Sequence, residues 1–82
     1  MTYRGWRKLD QVVCRQESRP DERPLKFRQG DRWVQVLQVV STRLERGPAE
    51  HDPVFRVFEI ESELGRHLLR VPVDGWVWEI RC

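Results

Sequence analysis

Long apolar runs are missing from this chain. The longest contain three residues, whereas a membrane-spanning helix needs roughly 20. The N-terminal segment also lacks the apolar stretch and small-residue cleavage site of a signal peptide. We therefore predict a cytoplasmic protein that does not enter a membrane. With 82 residues, the chain has room for a single domain, residues 1–82, and not for a second core.

Cysteine and histidine are scarce, with two of each. A small domain held together by disulfides usually carries about four to eight cysteines, so two free thiols are the expected state of Cys14 and Cys82. A bridge between them stays open, because both lie in or beside predicted strands. Together with His51 and His67 they contain no pair at a zinc-ligand spacing, and we predict no metal site.

A glycine-rich phosphate loop is also missing, since all five glycines are isolated. His51 and Asp52 are adjacent in a predicted loop, where neighbouring residues rarely form a working pair. Glu59, Glu61 and Glu63 alternate, which places them on one exposed strand face. Neither group supplies a nucleophile or an oriented acid–base pair. The sequence therefore predicts no catalytic residue and no cofactor, and a protein that is not an enzyme.

The charged residues are unevenly distributed. Residues 1–42 contain nine Lys and Arg against five Asp and Glu, and residues 43–82 contain six against eight. Thirteen of the fifteen cations are arginine, which suits the planar recognition of phosphate. A GC-rich genome also explains the arginine excess and the absence of asparagine. The pI of 8.8 lies just below the value of about 9 that is typical of dedicated nucleic-acid binders.

Short runs rich in Val, Ile, Phe and Trp alternate with turn residues, a pattern typical of strands joined by tight turns. It predicts six strands, at about residues 9–16, 24–28, 32–41, 54–61, 67–71 and 76–81. Residues 1–8 are interpreted as an N-terminal arm and residues 42–53 as a long loop. Residues 6–15 also fit a helix, because Trp6, Leu9 and Val13 have helical spacing; the β-branched pair at 12–13 favours a strand.

The expected fold is all-β: one small antiparallel meander of five to six strands, curled into a partly open, SH3-like barrel. A split sheet packed on an N-terminal helix is the alternative. Alternation places Leu25 with Phe27, and separately Trp76, Trp78 and Ile80, on core faces.

Asp74-Gly75 is predicted to form a type I′ turn, since these residues tolerate positive φ values.

The run at residues 54–60 is apolar on both faces, which predicts a central strand covered on its second face. The expected cover of Phe55 is residues 3–6 or a partner chain, such as a second copy in a homodimer. Arg56 is expected to extend from the apolar surface towards Glu79.

Several short motifs resemble a known family. In chain order they are Arg23-Pro24-Leu25-Lys26-Phe27, Gly30, Val36, Val39-Val40, Phe55-Arg56-Val57 and Gly75-Trp76. Over residues 9–81 they resemble a family of small bacterial β domains of unknown function, which occur alone or in association with translesion-type DNA polymerase homologues. The family's Trp-Arg-Glu stretch is replaced at residues 42–47 by a sequence without tryptophan. The resemblance implies a small β fold and carries no activity over to this chain.

The candidate nucleic-acid-binding residues are Lys26, Arg28, Arg32 and Trp33. A three-residue loop at 29–31 would oppose Arg28 to Arg32, and an anionic partner would relieve their repulsion while Trp33 stacks a base. A two-residue loop would pair Arg28 with Trp33 in a cation–π contact.

The sequence thus predicts a non-enzymatic accessory module that binds nucleic acid weakly. The alternative is a protein-interaction adaptor, since residues 33–40 are apolar on both faces.

Overall fold

The apolar runs form seven antiparallel strands in a computed structural model that describes residues 5–15 and 23–81. The strands are β1 (Arg7–Lys8), β2 (Gln11–Arg15), β3 (Arg23–Gln29), β4 (Arg32–Arg46), β5 (Val54–Ser62), β6 (Gly65–Pro72) and β7 (Glu79–Arg81). Residues 6–15 therefore contain strands and not a helix. Within the described ranges, no helix is long and apolar enough to cross a membrane.

The order of strands in the sheet is β1-β7-β6-β5-β4-β3-β2, so β1 and β2 lie at its two ends. Only Leu9 and Asp10 separate these strands, and this link holds the two ends within about 11 Å of each other. The sheet must therefore curl, as the predicted partly open barrel requires. Seven strands are found where five to six were predicted, because Arg7 and Lys8 of the predicted arm form a strand of their own, β1. The first predicted strand, residues 9–16, corresponds to β2 and begins only at Gln11.

The core lies inside the curled sheet. Phe27 of β3 and His67 of β6 are separated by two strands, yet their rings meet edge to face at 6.2 Å. Phe58 packs on Trp78 with 5.5 Å between ring centroids and an angle of 32° between the ring planes. Contacts between strands that are not neighbours show that the curled sheet encloses one core. Its buried side chains are Leu9, Phe27, Val34, Phe58, Ile60, Leu69 and Ile80.

Three β-bulges decide which apolar residues reach this core. In the β2–β3 ladder Val13 pairs with Lys26 and Cys14 with Pro24, so Leu25 is the extra residue. A bulge shifts the alternation by one residue. Pro24 is buried as a result, and Leu25 is 43% exposed. The prediction that Leu25 shares the core face of Phe27 is therefore wrong.

The other two bulges lie in β4, at Leu37 and Val40. They let Val34, Val36 and Val39 all pack on the core although their spacing is not strictly alternating. Leu37 is left 66% exposed. The two-sided apolar pattern of residues 33–40 is thus produced by bulges within a single strand.

Strand β4 runs further than the sequence indicated. Residues 42–46 pair with residues 54–58 of β5, so they belong to the sheet and the loop covers only residues 47–53. The prediction of a loop at 42–53 is wrong at its start. Polar residues fill this part of β4 because both of its faces are exposed there, and exposed strands are hard to tell from loops by composition.

The turn before β7 also differs from the prediction. Gly75 N donates to the carbonyl oxygen of Pro72 at 3.1 Å, which places Val73 and Asp74 at the centre of the turn. Positive φ occurs only at Gly30 and Gly65 among the described residues, so a type I′ turn at Asp74-Gly75 is excluded. Strand β7 begins only at Glu79.

The late start of β7 explains the positions of the C-terminal tryptophans. Ile80 is buried and Trp78 packs against the core. Trp76, which precedes the paired residues, is 84% exposed. Its predicted place on the core face is therefore wrong.

Strand β5 is the middle strand of the sheet, as predicted. On its outer face, the side away from the core, Val57 is fully buried between its ladder neighbours Arg43 and Arg70. The guanidinium of Arg70 lies over two rings, 4.2 Å from the centroid of Trp6 and 3.9 Å from that of Phe55. The predicted N-terminal cover is thus confirmed for Trp6, whose ring contacts the same guanidinium of Arg70 as the ring of Phe55.

Two further predictions concern partners of named residues. Glu79 binds Arg70, with 2.7 Å between Oε1 and Nε. The predicted approach of Arg56 to Glu79 is therefore wrong, and Arg56 lies opposite Leu44 and Val71. The possible bridge from Cys14 involves Cys82, which lies outside the described residues, as does Tyr3 of the predicted cover.

His67 gives the fold a predicted pH dependence. Both ring nitrogens are enclosed without a hydrogen-bond partner in the described part of the chain, and this burial lowers the pKa of His67 from its ordinary value of 6.5. Near and just below pH 6.5 the folded chain therefore binds fewer protons than the unfolded chain, so the free energy of unfolding is expected to fall as pH drops. Urea unfolding between pH 7.5 and about 5 measures this change.

The control for the pH experiment is the exposed loop residue His51. His67→Phe removes the titrating group and keeps an aromatic ring beside Phe27, so the slope near pH 6 should flatten. His51→Gln should leave the slope unchanged. A wild-type slope that survives His67→Phe would show that another group is responsible.

Candidate nucleic-acid interface

The β3–β4 hairpin positions the predicted binding residues. Arg28 pairs with Trp33 and Gln29 with Arg32, which leaves a two-residue loop of Gly30 and Asp31. Gly30 has φ +60° at the first central position, as a type II′ turn requires. Of the two loop lengths considered above, the structure has the shorter, and Arg28 and Arg32 do not oppose each other.

A second contact fixes the position of this hairpin. The backbone N–H of Gly30 donates to Oδ2 of Asp10 at 3.0 Å. Asp10 belongs to the link between β1 and β2, so the contact ties the hairpin loop to the bend of the N-terminal strand.

Lys26, Arg28 and Trp33 form a basic–aromatic face on the outside of the barrel. Arg28 lies directly opposite Trp33, and Lys26 follows on the same side of β3. Lys26 Nζ is 5.0 Å and Arg28 Cζ is 6.0 Å from the centroid of the Trp33 ring, both within cation–π range. Trp33 is still 38% exposed. The face therefore presents two cations beside an accessible ring.

Arg32 does not join this face. It pairs with Gln29 and lies two residues before Val34 in the same strand, and the side chain of Val34 is in the core. Alternation therefore directs Arg32 to the other side of the hairpin end. The structure thus brings together three of the four predicted residues, and the neighbouring ladder positions on their side are Gln11, Val13 and Gln35.

The charges of the basic–aromatic face are not neutralised by carboxylates. Within the described ranges, neither Lys26 nor Arg28 forms an ion pair, and Oε1 of Glu63 accepts the backbone N–H of Gln35 at 3.1 Å. On the opposite side of the barrel, three arginines each have a glutamate partner: Arg43 with Glu45, Arg66 with Glu59 and Arg70 with Glu79. The positive charges of Lys26 and Arg28 are therefore not compensated by an ion pair within the described ranges.

The carboxylates that sequence analysis considered for catalysis have structural contacts. Asp52 Oδ2 accepts the N–H of Ala49 at 2.8 Å, and a Cβ at Gly47 would lie 2.5 Å from that of Asp52, so the 47–53 loop needs glycine there. Glu59 accepts hydrogen bonds from Ser41 and Arg66.

Sequence reasoning missed a second site, the arginine cavity on the outer face of β4, β5 and β6. It is lined by Trp6, Arg43, Glu45, Arg46, Phe55, Arg70 and Arg81, among others. These residues come from distant parts of the chain, so no local spacing in the sequence predicts that they lie close together. The only signal was the two-sided apolar pattern of β5, which predicted a cover over Phe55.

Comparison with known proteins gives no relative for this domain. The chain matches no protein-family model, no curated protein and no solved structure.

Proposed function

We propose that this domain is a non-catalytic, cytoplasmic bacterial binding module whose basic–aromatic face binds single-stranded nucleic acid weakly. The supporting observation is the placement of Lys26 and Arg28 beside the exposed ring of Trp33, without carboxylate partners in the described part of the chain. Cations contact phosphates and an aromatic ring stacks a base. The association of the resembling family with polymerase homologues points to the same class of ligand.

Weak binding follows from the small number of charges. Two cations at the face and a net charge of +2 for the chain give few phosphate contacts, and each contact contributes to affinity mainly at low salt. A single accessible ring stacks one base, since Trp33 is the one aromatic residue among the three that form the face. A module of this kind supplies affinity to a larger assembly and does not select a sequence by itself.

The test is fluorescence anisotropy of a labelled oligothymidylate of about ten nucleotides at low salt. Replacing both cations, Lys26→Gln with Arg28→Gln, is expected to weaken binding by about tenfold or more. The slope of log affinity against log salt concentration should also become shallower, by about 0.7 for each lost phosphate contact. Trp33→Leu should weaken binding through lost stacking, with the salt dependence retained.

The matched control is the pair Arg43→Gln with Arg66→Gln, which makes the same change in net charge at arginines that already have glutamate partners. It should leave affinity nearly unchanged. Absence of binding at low salt contradicts the proposal, and so does an equal loss of affinity in both double variants.

The alternative function, a protein-interaction adaptor, is supported by a different surface. Trp76 is 84% and Val77 44% exposed, and both line a groove of about 520 Å³ beside β2. Large exposed apolar side chains mark interaction sites. Self-association that rises with protein concentration and is removed by Trp76→Gln would favour a homodimer through this groove.

A further inference from the structure

The arginine cavity is built around one rigid guanidinium. Arg70 lies over the rings of Trp6 and Phe55, and its Nε donates to Glu79 Oε1 at 2.7 Å. Only 23% of its side chain is exposed. Three contacts thus hold the planar group in one orientation, so little conformational entropy remains to be lost when it binds an acceptor.

Arg70 has hydrogen-bond donors that its ion pair does not use. The ion pair with Glu79 uses Nε, which leaves the two Nη atoms with four N–H donors. Arg70 lines the cavity, so these are the donors that it can offer to a ligand that enters it.

The walls of this cavity carry excess positive charge. Its volume is about 210 Å³, and four arginines line it against one glutamate, Glu45. Arg46, at the end of β4, also lines the cavity and makes no ion pair within the described ranges. One carboxylate would satisfy Arg70 alone. Several guanidinium groups around a single small cavity fit the two negative charges and several acceptor oxygens of a phosphomonoester better.

An apolar recess adjoins the arginine cavity. It has a volume of about 510 Å³ and is lined by Pro48, Pro53 and Phe55 together with Gly47, Asp52 and Arg70. Phe55 and Arg70 line both spaces, so one ligand can extend from one into the other. The larger space lies within the range of about 300–1,000 Å³ found for small-molecule sites, and its apolar walls suit a flat ring.

We propose that these two spaces form a binding site for a nucleoside monophosphate, with the base in the apolar recess and the phosphate at Arg46 and Arg70. The ribose then spans the shared wall. This site is distinct from the basic–aromatic face, because Phe27 and His67 meet across the interior between β3 and β6, which places the two sites on opposite sides of the barrel. The proposal goes beyond the nucleic-acid binding suggested above and does not depend on it.

The experiment is an NMR titration of the isotope-labelled chain with adenosine monophosphate. Saturable shifts are expected at the amides of Gly47, Phe55 and Arg70. Adenosine and inorganic phosphate, titrated separately, should each bind at least about tenfold more weakly, since each fills one of the two spaces. Phenyl phosphate tests the recess: binding as tight as that of the nucleotide would overturn its assignment to a base.

The discriminating variant is Arg46→Gln, at an exposed position where the fold should tolerate the change. It is expected to weaken nucleotide binding about tenfold, because one charge-assisted contact is removed. The NMR spectrum of the free variant should otherwise be unchanged. The variant Lys26→Gln with Arg28→Gln should bind the nucleotide normally, which separates this site from the basic–aromatic face. No saturable shift, shifts confined to β3, or unchanged affinity in Arg46→Gln would each overturn the proposal.

Discussion

Replacing Phe27 with alanine is expected to lower the free energy of unfolding by about 3–5 kcal/mol. Phe27 is fully buried, lies opposite Val12 and Val34 in the ladders on either side of β3, and meets His67 across the interior. Its removal opens a cavity in the core, between β3 and β6. Small domains have thin margins of stability, so the variant should be largely unfolded at 37 °C. Urea unfolding followed by circular dichroism measures the loss.

Leu25 supplies the matched control for Phe27. It lies two residues away in the same strand and is 43% exposed, because the bulge turns it out of the core. Leu25→Ala should change the free energy of unfolding by less than about 1 kcal/mol. Equal losses at Leu25 and Phe27 would mean that β3 has regular alternation and that the bulge is wrongly placed.

Arg70→Ala is expected to lower the free energy of unfolding by about 2–3 kcal/mol, a large effect for a charged surface residue. The change removes the guanidinium that lies over the rings of Trp6 and Phe55. It also leaves Glu79, whose side chain is only 28% exposed, without its charged partner. Both losses act on the contact that joins the N-terminal segment to β5. Chemical denaturation, repeated at high salt, measures the effect, and the packing part should persist when charges are screened.

Arg66 is the matched control for Arg70. It is on the same strand and the same face, and it also has a glutamate partner, yet its side chain is 58% exposed and its bond to Glu59 is 3.3 Å long. Exposed ion pairs of this kind contribute between zero and about 1 kcal/mol. The free energy of unfolding of Arg66→Ala should therefore lie within about 0.5 kcal/mol of the wild-type value. Similar losses for the two variants would rule out a special role for the rings around Arg70.

The strand pattern was predictable because it depends on local signals. Two-residue turns, β-branched runs and isolated glycines located six strands and their antiparallel meander, and the sheet has this meander. The bulges were not predictable. An extra residue at Leu25, Leu37 or Val40 changes no local preference, and only pairing with a neighbouring strand shows that the alternation has shifted.

The two sites differ in the same way. Lys26, Arg28 and Trp33 belong to one hairpin, so the sequence could place them near one another, although it left the loop length open and added Arg32 to the set. The arginine cavity combines Trp6, residues 43 and 45–48, Phe55 and Arg70, and these meet only because segments far apart in the sequence pair side by side in the sheet. Side chains joined only by tertiary structure leave no mark on local sequence patterns.

The position of β1, at the opposite end of the sheet from β2, affects the order of folding. The hairpins at Gly30 and Gly65 close between neighbouring residues and can form early. Arg7 pairs with Ile80, its partner near the other end of the described chain, and closing so long a loop carries a large entropy cost. Contacts of high sequence separation slow folding, so joining β1 to β7 is expected to be a late step during synthesis. Until then the edge of β7 that β1 covers remains unpaired, and an open strand edge is a place where nascent chains associate.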